Sequence, residues 1–389
     1  MQSPDPPLVI DDLREAGARI VLAASGGGAR AISHLVTTPG ASAVVLEGLV
    51  PYAREAIDRL LGGPQESYCS SRTARRLAVA AWQRACDCGV AADAAWGAAV
   101  TASLRTNRPK RGCHRVFVAV QSLRTTATAE LVLEKDARSR DEEETVAAAL
   151  LLQELLAGVT GREPALPAPH LRAGERVARD RCTPPAAWGE LFAGERRAIR
   201  AANAAEEPGQ RSGRLIFPGS FDPLHEGHLL MARIAEEIAE RPVEYELSIT
   251  NVDKPALDFL ELRERTAQFA DRPLWLSRAP RFLDKLDVFP GSTFVMGADT
   301  YLRLADPRYY GHSEAAAAEA VRTIAARAAR LIVFGRAKGD EFQEAARLDV
   351  PQALRDVTYF VSQREFRLDI SSTELRRRRR DATEETCTD

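Results

Sequence analysis

Apolar positions recur along this chain with two periods, and the switches between them mark the elements. Residues 20–24 (IVLAA), 44–46, 116–120 (VFVAV) and 129–133 are short apolar or alternating runs, and they predict strands. Helical spacing predicts a short helix over 11–18, one through Ile32 and Leu35, one ending at Leu61-Gly62, and an alanine-rich helix over 71–86. The strongest helical signal covers 142–156, where Val146, Leu150, Leu151 and Leu155 share one face. Prolines 164, 167, 169, 184 and 185 then interrupt the pattern, and 186–205 predicts a linker helix with Trp188, Leu191, Phe192 and Ile199 on one side. From 214 onward strands and helices alternate. Strands are predicted at 215–217, 245–249, 274–277, 293–296 and 331–334; helices follow through Leu229, Leu230, Ile234 and Ile238, over 260–269 and over 314–329. That order predicts a Rossmann-like, doubly wound parallel sheet. The chain therefore divides into an α/β domain (1–162), a proline-rich and helical linker (163–212) and a second α/β domain (213–389).

Composition narrows the class. At 389 residues, 45% apolar and 28% charged, the profile is that of a soluble globular protein with room for two or three domains. A formal net charge of −2 gives no global bias toward nucleic acid or acidic membranes, so neither is expected as a partner. The five arginines at 376–380 read as a solvated helix end. No apolar run approaches a membrane span, and the first residues lack a basic segment followed by an apolar one, so no secretory signal is expected. Six cysteines, at 69, 86, 88, 113, 182 and 387, match no zinc spacing; reduced thiols in the cytoplasm are expected.

The candidate chemistry concentrates at 214–237, RLIFPGSFDPLHEGHLLMARIAEE. A strand leads into the turn Gly219-Ser220-Phe221-Asp222-Pro223, and His225 and His228 stand one turn apart at a helix start. Backbone N–H groups and imidazoles together suit an anion. No cysteine or carboxylate stands at ligand spacing, so no protein-held metal is expected. Asn251, Lys254 and Pro255 follow one later strand, and Gly297-Ala298-Asp299 ends another. Near the end, Ser371, Ser372 and Thr373 open a helix with Arg376 one turn on, a second phosphate clamp.

With GSFDPLHEGH and ISSTxxR as its signatures, residues 214–378 resemble the HxGH nucleotidyltransferase superfamily. ISST with GADT upstream resembles adenylyltransferases of the nicotinamide mononucleotide type. The RTEGIST-like stretch of cytidylyltransferases is absent, and the phosphopantetheine branch is the nearer competitor. The resemblance implies attack of a mononucleotide 5′-phosphate on the α-phosphorus of ATP, with Mg²⁺ bridging phosphates and pyrophosphate leaving. His225 and His228 would hold the phosphates and stabilise the transition state. Gly219, Ser220 and Phe221 would shape the turn, Lys254 would add a phosphate contact, and Gly297 and Asp299 would hold the ribose or adenine. Ser371, Ser372, Thr373 and Arg376 would bind the outer phosphates. A non-catalytic nucleotide-binding regulator is the rival class.

The first domain resembles the C-terminal domain of the CinA family, which includes nicotinamide mononucleotide deamidases. The matching pieces are SGGG, PGAS, VPYAREAIDRLLG, GAAVTASLR before the VFVAV strand, and Arg140-Asp141-Glu142 before the last helix. The departures fall where the active enzymes carry their chemistry. Their Ser-Cys-Thr-Gly-Gly loop reads Ala24-Ser25-Gly26-Gly27-Gly28 here, and Ile57 stands at the position of their lysine. A serine activated by lysine loses its base through that change. Ser25, Gly26, Gly27 and Tyr52 are therefore expected to mark a vestigial site, in a domain that binds a nucleotide or supports a homo-oligomer.

Overall fold

A computed structural model describes residues 6–107, 112–164, 170–202, 213–251, 255–338 and 341–366. It separates into two compact units, Met1–Gly189 with Asp253–Arg263, and Glu190–Val252 with Glu264–Asp389.

The first unit carries, in chain order, α1 (Pro6–Glu15), β1 (Arg19–Ser25), α2 (Ala29–Val36), β2 (Val45–Leu49), α3 (Arg54–Leu61), α4 (Ser71–Asp87), β3 (Ala95–Ser103), β4 (His114–Gln121), β5 (Thr126–Leu133), α5 (Arg140–Thr160), β6 (Val177–Cys182) and the start of α6 (Ala186–Ala193). Its six strands lie in the order β2-β1-β3-β4-β5-β6. The first three are parallel, and the remainder pair antiparallel. Side chains alternate between the two faces, as strand geometry requires. Ile20 and Leu22 of β1 join Val9, Leu35, Leu150 and Leu151 in one apolar cluster, which α1, α2 and α5 cover. Ala23 faces the other way, among Ile57, Leu61, Leu77 and Ala78 of α3 and α4. Ser139 begins α5 with a capping box. Its side chain accepts from the Glu142 N–H while Glu142 accepts from the Ser139 N–H.

One sequence expectation changes, and one strand arises where none was expected. The alanine- and glycine-rich 95–103 forms β3, buried along nearly its whole length; packing overrides its weak strand propensity. The expected linker helix over 186–205 stops at Ala193, where Gly194 takes φ 87°. Within 163–212, Val177–Cys182 adds a mostly exposed edge strand to the first sheet, and Ala198–Arg200 is a strand of the second.

The second unit holds β7 (Ala198–Arg200), β8 (Leu215–Pro218), α7 (Glu226–Ala239), β9 (Val243–Ser248), the end of α8 (Phe259–Thr266), β10 (Leu274–Ser277), α9 (Phe282–Val288), β11 (Thr293–Gly297), α10 (Ala298–Arg303), α11 (Glu314–Arg327), β12 (Arg330–Phe334), the hairpin β13 (Arg336–Lys338) and β14 (Glu341–Gln343), α12 (Gln352–Asp356) and β15 (Thr358–Val361). The main sheet runs β15-β12-β11-β8-β9-β10-β7. All its pairs are parallel except β7 on β10. The chain starts at β8, steps outward through β9 and β10, then restarts beside β8 at β11. That restart, at the carboxyl ends of β8 and β11, is a topological switch point, the place where open α/β sheets bind ligands. The Rossmann-like parallel sheet is present, with one antiparallel edge strand. Among the described residues, no helix is long and apolar enough to cross a membrane.

Candidate active site

The turn after β8 is held from several sides. The Gly219 N–H donates to Glu246 O on β9 at 3.0 Å. The Glu246 carboxylate, fully buried, accepts from Lys285 Nζ at 2.7 and 2.9 Å and from the Ser277 hydroxyl. A Cβ on Gly219 would stand 2.5 Å from the Phe221 ring, so the ring packs where a side chain would be. Phe221 itself has φ 44° and is buried against Phe217, Tyr245 and Phe269. The Asp222–Pro223 peptide is cis. Arg265 Nη1 donates to Ser220 O at 2.7 Å, and Gln268 accepts from the Leu224 N–H at 2.8 Å while donating to Phe221 O at 3.2 Å. Sequence reading gave Arg265 and Gln268 no role; nothing local marks them, since their partners lie about 45 positions earlier.

This turn delivers the two histidines. His225 is the N-cap of α7 and His228 its third residue. Their rings stack with centroids 3.8 Å apart and planes 26° apart. The edge of His228 also meets Phe221 at 5.1 Å. The His225 N–H donates to His228 Nδ1 at 3.3 Å, which assigns the proton of neutral His228 to Nε2. Burial, and secondarily the neighbouring His225, pushes the His228 pKa down to about 3; burial lowers that of His225 as well. The site is thus a pair of neutral imidazoles at a helix start, and His228 Nε2–H is a donor. Gly297 and Asp299 sit at the end of β11, the strand beside β8, with Gly297 as N-cap of α10. Lys254, Ser371, Ser372, Thr373 and Arg376 lie outside the described residues.

The first unit presents a comparable turn. Ser25 ends β1, and Gly26, Gly27 and Gly28 lead into α2. Gly26 has φ 72°, and a Cβ there would fall 2.0 Å from Ala102 O. A cavity of about 410 Å³ opens beside the loop, lined by Ala24, Gly26, Gly27, Ala29 and Val50. Tyr52, 73% exposed, and Arg140, Asp141 and Glu144 of α5 also line it. Glu144 reaches across to the start of α2, where its carboxylate accepts from the Gly28 N–H at 2.9 Å and the Arg30 N–H at 3.0 Å. Ile57 is buried, 2% exposed, in the apolar cluster under β1.

Comparison with known proteins follows this division. The family profile described as the CinA C-terminal domain matches residues 6–156. The profile described as cytidylyltransferase-like matches residues 216–378. The chain joins a CinA C-terminal domain to a cytidylyltransferase-like domain. A CinA-like protein from Anaeromyxobacter dehalogenans is 35% identical over 130 residues, 32% of this chain and 30% of that protein. The chain thus spans under a third of the length of that curated relative. Among solved structures, a CinA superfamily protein from Escherichia coli is 20% identical and covers 39% of this chain and 86% of its own, with a TM-score of 0.33. A competence/damage-inducible protein from Agrobacterium tumefaciens is 23% identical over 40% of this chain and 97% of its own, also with a TM-score of 0.33. The His225–His228 pair and its turn fall within the cytidylyltransferase-like domain, and the Ser25–Gly28 loop within the CinA domain.

Proposed function

We propose that the cytidylyltransferase-like domain is an adenylyltransferase that moves AMP from ATP to the 5′-phosphate of nicotinamide or nicotinate mononucleotide. The observation that carries this is the stacked, neutral His225–His228 pair at the start of α7, at the carboxyl end of β8. In-line transfer to a phosphate oxygen demands no covalent enzyme intermediate. It demands donors preorganised where charge grows on the transferring phosphoryl group. His228 Nε2–H, at the start of α7, is such a donor. Gly297 and Asp299, beside the switch point, would take the ribose or adenine. Ser371, Ser372, Thr373 and Arg376 would take the leaving pyrophosphate, and Lys254 would add a phosphate contact. Mg²⁺ would arrive with ATP and screen its phosphates.

The CinA domain, on this reading, performs no deamidation. The position expected for a basic lysine is Ile57 in an apolar core, and Gly26 replaces the cysteine of the loop. Ammonia release from nicotinamide mononucleotide that vanished in Ser25→Ala would refute this.

The transferase is tested by pyrophosphate release from ATP with nicotinamide mononucleotide, nicotinate mononucleotide or phosphopantetheine, and with CTP replacing ATP. Release with either pyridine mononucleotide supports the proposal. Release confined to phosphopantetheine or to CTP replaces it, and no release with any pair removes the enzyme reading.

A further inference from the structure

We propose that Gln268 is a positioning residue for the His225–His228 pair, because its amide closes the turn that delivers them. A four-residue turn often closes by donating the N–H of its last residue to the carbonyl of its first. In Phe221-Asp222-Pro223-Leu224 the Gln268 side chain, from further along the second unit, joins those two groups instead. Its Oε1 accepts from the Leu224 N–H at 2.8 Å, and its Nε2 donates to Phe221 O at 3.2 Å. Nε2 also reaches Arg265 O at 3.4 Å, so both of its neighbours are acceptors, as an amide nitrogen requires. Arg265, three residues earlier, donates to Ser220 O at 2.7 Å and lies 3.4 Å from Asp222 Oδ2. The end of α8 and the single 3-10 turn after it, Ala267–Phe269, thus grip the turn at Ser220, Phe221, Asp222 and Leu224.

Both groups that Gln268 ties stand one step from a contact of His228. Phe221 is a non-glycine residue at φ 44°, a conformation that a side chain keeps only where its surroundings impose it. Its ring meets His228 edge-on, with centroids 5.1 Å apart. Holding the Phe221 carbonyl therefore helps to hold that ring. Leu224 is the residue before His225. The His225 N–H donates to His228 Nδ1 at 3.3 Å, and its ring stacks on that of His228 at 3.8 Å. With the Leu224 N–H fixed, only the torsions of Leu224 separate Gln268 from that bond. A primary amide supplies the donor and the acceptor together. A carboxylate of the same length accepts from Leu224 but sets an oxygen against Phe221 O. Displacement of a catalytic group by about 1 Å can cost about 10² in rate, so a support of this kind acts on turnover.

The test uses the full chain and two readouts. Turnover rests on the transferase reading; nuclear magnetic resonance of His228 without substrate does not, so the two readings fail separately. Isotope labelling of histidine reports six rings, and the signal of His228 is the one lost in His228→Ala. Gln268→Glu and Gln268→Ala are each expected to move that signal, because the ring currents of Phe221 and His225 depend on orientation. Each is expected to lower kcat about tenfold or more while KM for ATP changes less than about threefold. Ile324→Val, in the apolar cluster with Phe294 and Leu331, controls for lost stability alone and should leave both readouts unchanged. An unmoved His228 signal in both Gln268 variants would overturn the proposal whatever the turnover. An equal displacement in Ile324→Val, or displaced signals with the kcat of the wild type, would overturn it as well. If the wild type performs no transfer, the transferase reading fails and the His228 signals alone decide.

Discussion

The starts of α2 and α7 share a plan and differ in what covers them. Each follows a buried strand with parallel neighbours, and each is preceded by a turn that excludes a Cβ at one glycine or more. Over α2 lies Glu144, a carboxylate from another helix, so the site is closed to anions by one of the chain's own. Over α7 stand His225 and His228, donors with no charge of their own to satisfy. Backbone geometry makes an anion site available; the side chains around it decide whether a phosphate can use it. The two domains thus illustrate a fold-level likeness that leaves the chemistry open.

The largest expected effect comes from removing the donor that distinguishes α7. His228→Ala should lower adenylyl transfer by about 10² or more, the scale for one preorganised donor to developing charge. The far-ultraviolet circular dichroism should stay unchanged, because alanine is the best helix former and keeps the first turn of α7. Turnover near that of the wild type would end the comparison, since α7 would then be no more an active helix start than α2.

Next in size is the turn that aims the histidines. Gly219→Ala places a methyl group 2.5 Å from the Phe221 ring, which is buried and cannot retreat freely. Overpacking of this kind costs about 1–3 kcal/mol. Because Phe221 packs on His228, turnover should fall along with the denaturation midpoint. A loss of stability with full turnover would show that the turn supports the fold without positioning the catalytic pair.

How far these features could be read beforehand depends on sequence separation. The strand, turn and paired histidines of 215–228 are a local pattern, and the structure brings them together at the switch point. The doubly wound sheet was legible for the same reason, as strand and helix periods alternate. Glu144 was not, because its partners Gly28 and Arg30 lie 116 and 114 positions away. Only the fold brings α5 across α2. Strand β3 hid behind alanine and glycine, and β6 behind its charges, because pairing rather than propensity makes them strands. The ISST signature of 370–376 lies outside the described residues.

A smaller effect should follow from opening the closed helix start. Glu144→Ala strips the cap from Gly28 and Arg30, and should cost about 1–2 kcal/mol, as loss of a charged cap does. The freed N–H groups then become an anion site. Added phosphate should stabilise the variant more than the wild type, which thermal unfolding in phosphate and in an uncharged buffer would compare. Equal phosphate effects would mean that Glu144 does not occupy an anion seat, and the contrast with α7 would lose its basis.

The last effect expected is a pH dependence to which the histidine pair contributes. His228 has a folded-state pKa lowered to about 3, while its unfolded value lies near 6.5. Between those values the unfolded chain binds the extra proton and the folded chain does not. Stability therefore rises with pH across this window; it is intact above about pH 6.5 and is lost as pH falls toward 3. His225, shifted in the same direction by burial, adds to the slope. Carboxylates with lowered pKa values, such as Glu175, add the same sign of dependence. They begin only near their own unfolded values, about 4.5. His34, also lowered by burial, and Glu154, raised by burial, share the interval from pH 6.5 to 5, so it is the difference between the wild type and His228→Ala that isolates His228. Denaturation midpoints at pH 7 and pH 5 should fall further for the wild type than for His228→Ala. Imidazole resonances of His228 should still report the neutral ring at pH 5. A titration midpoint above pH 6 would place a charged imidazole at the start of α7, and the neutral pair on which the transfer chemistry rests would have to be abandoned.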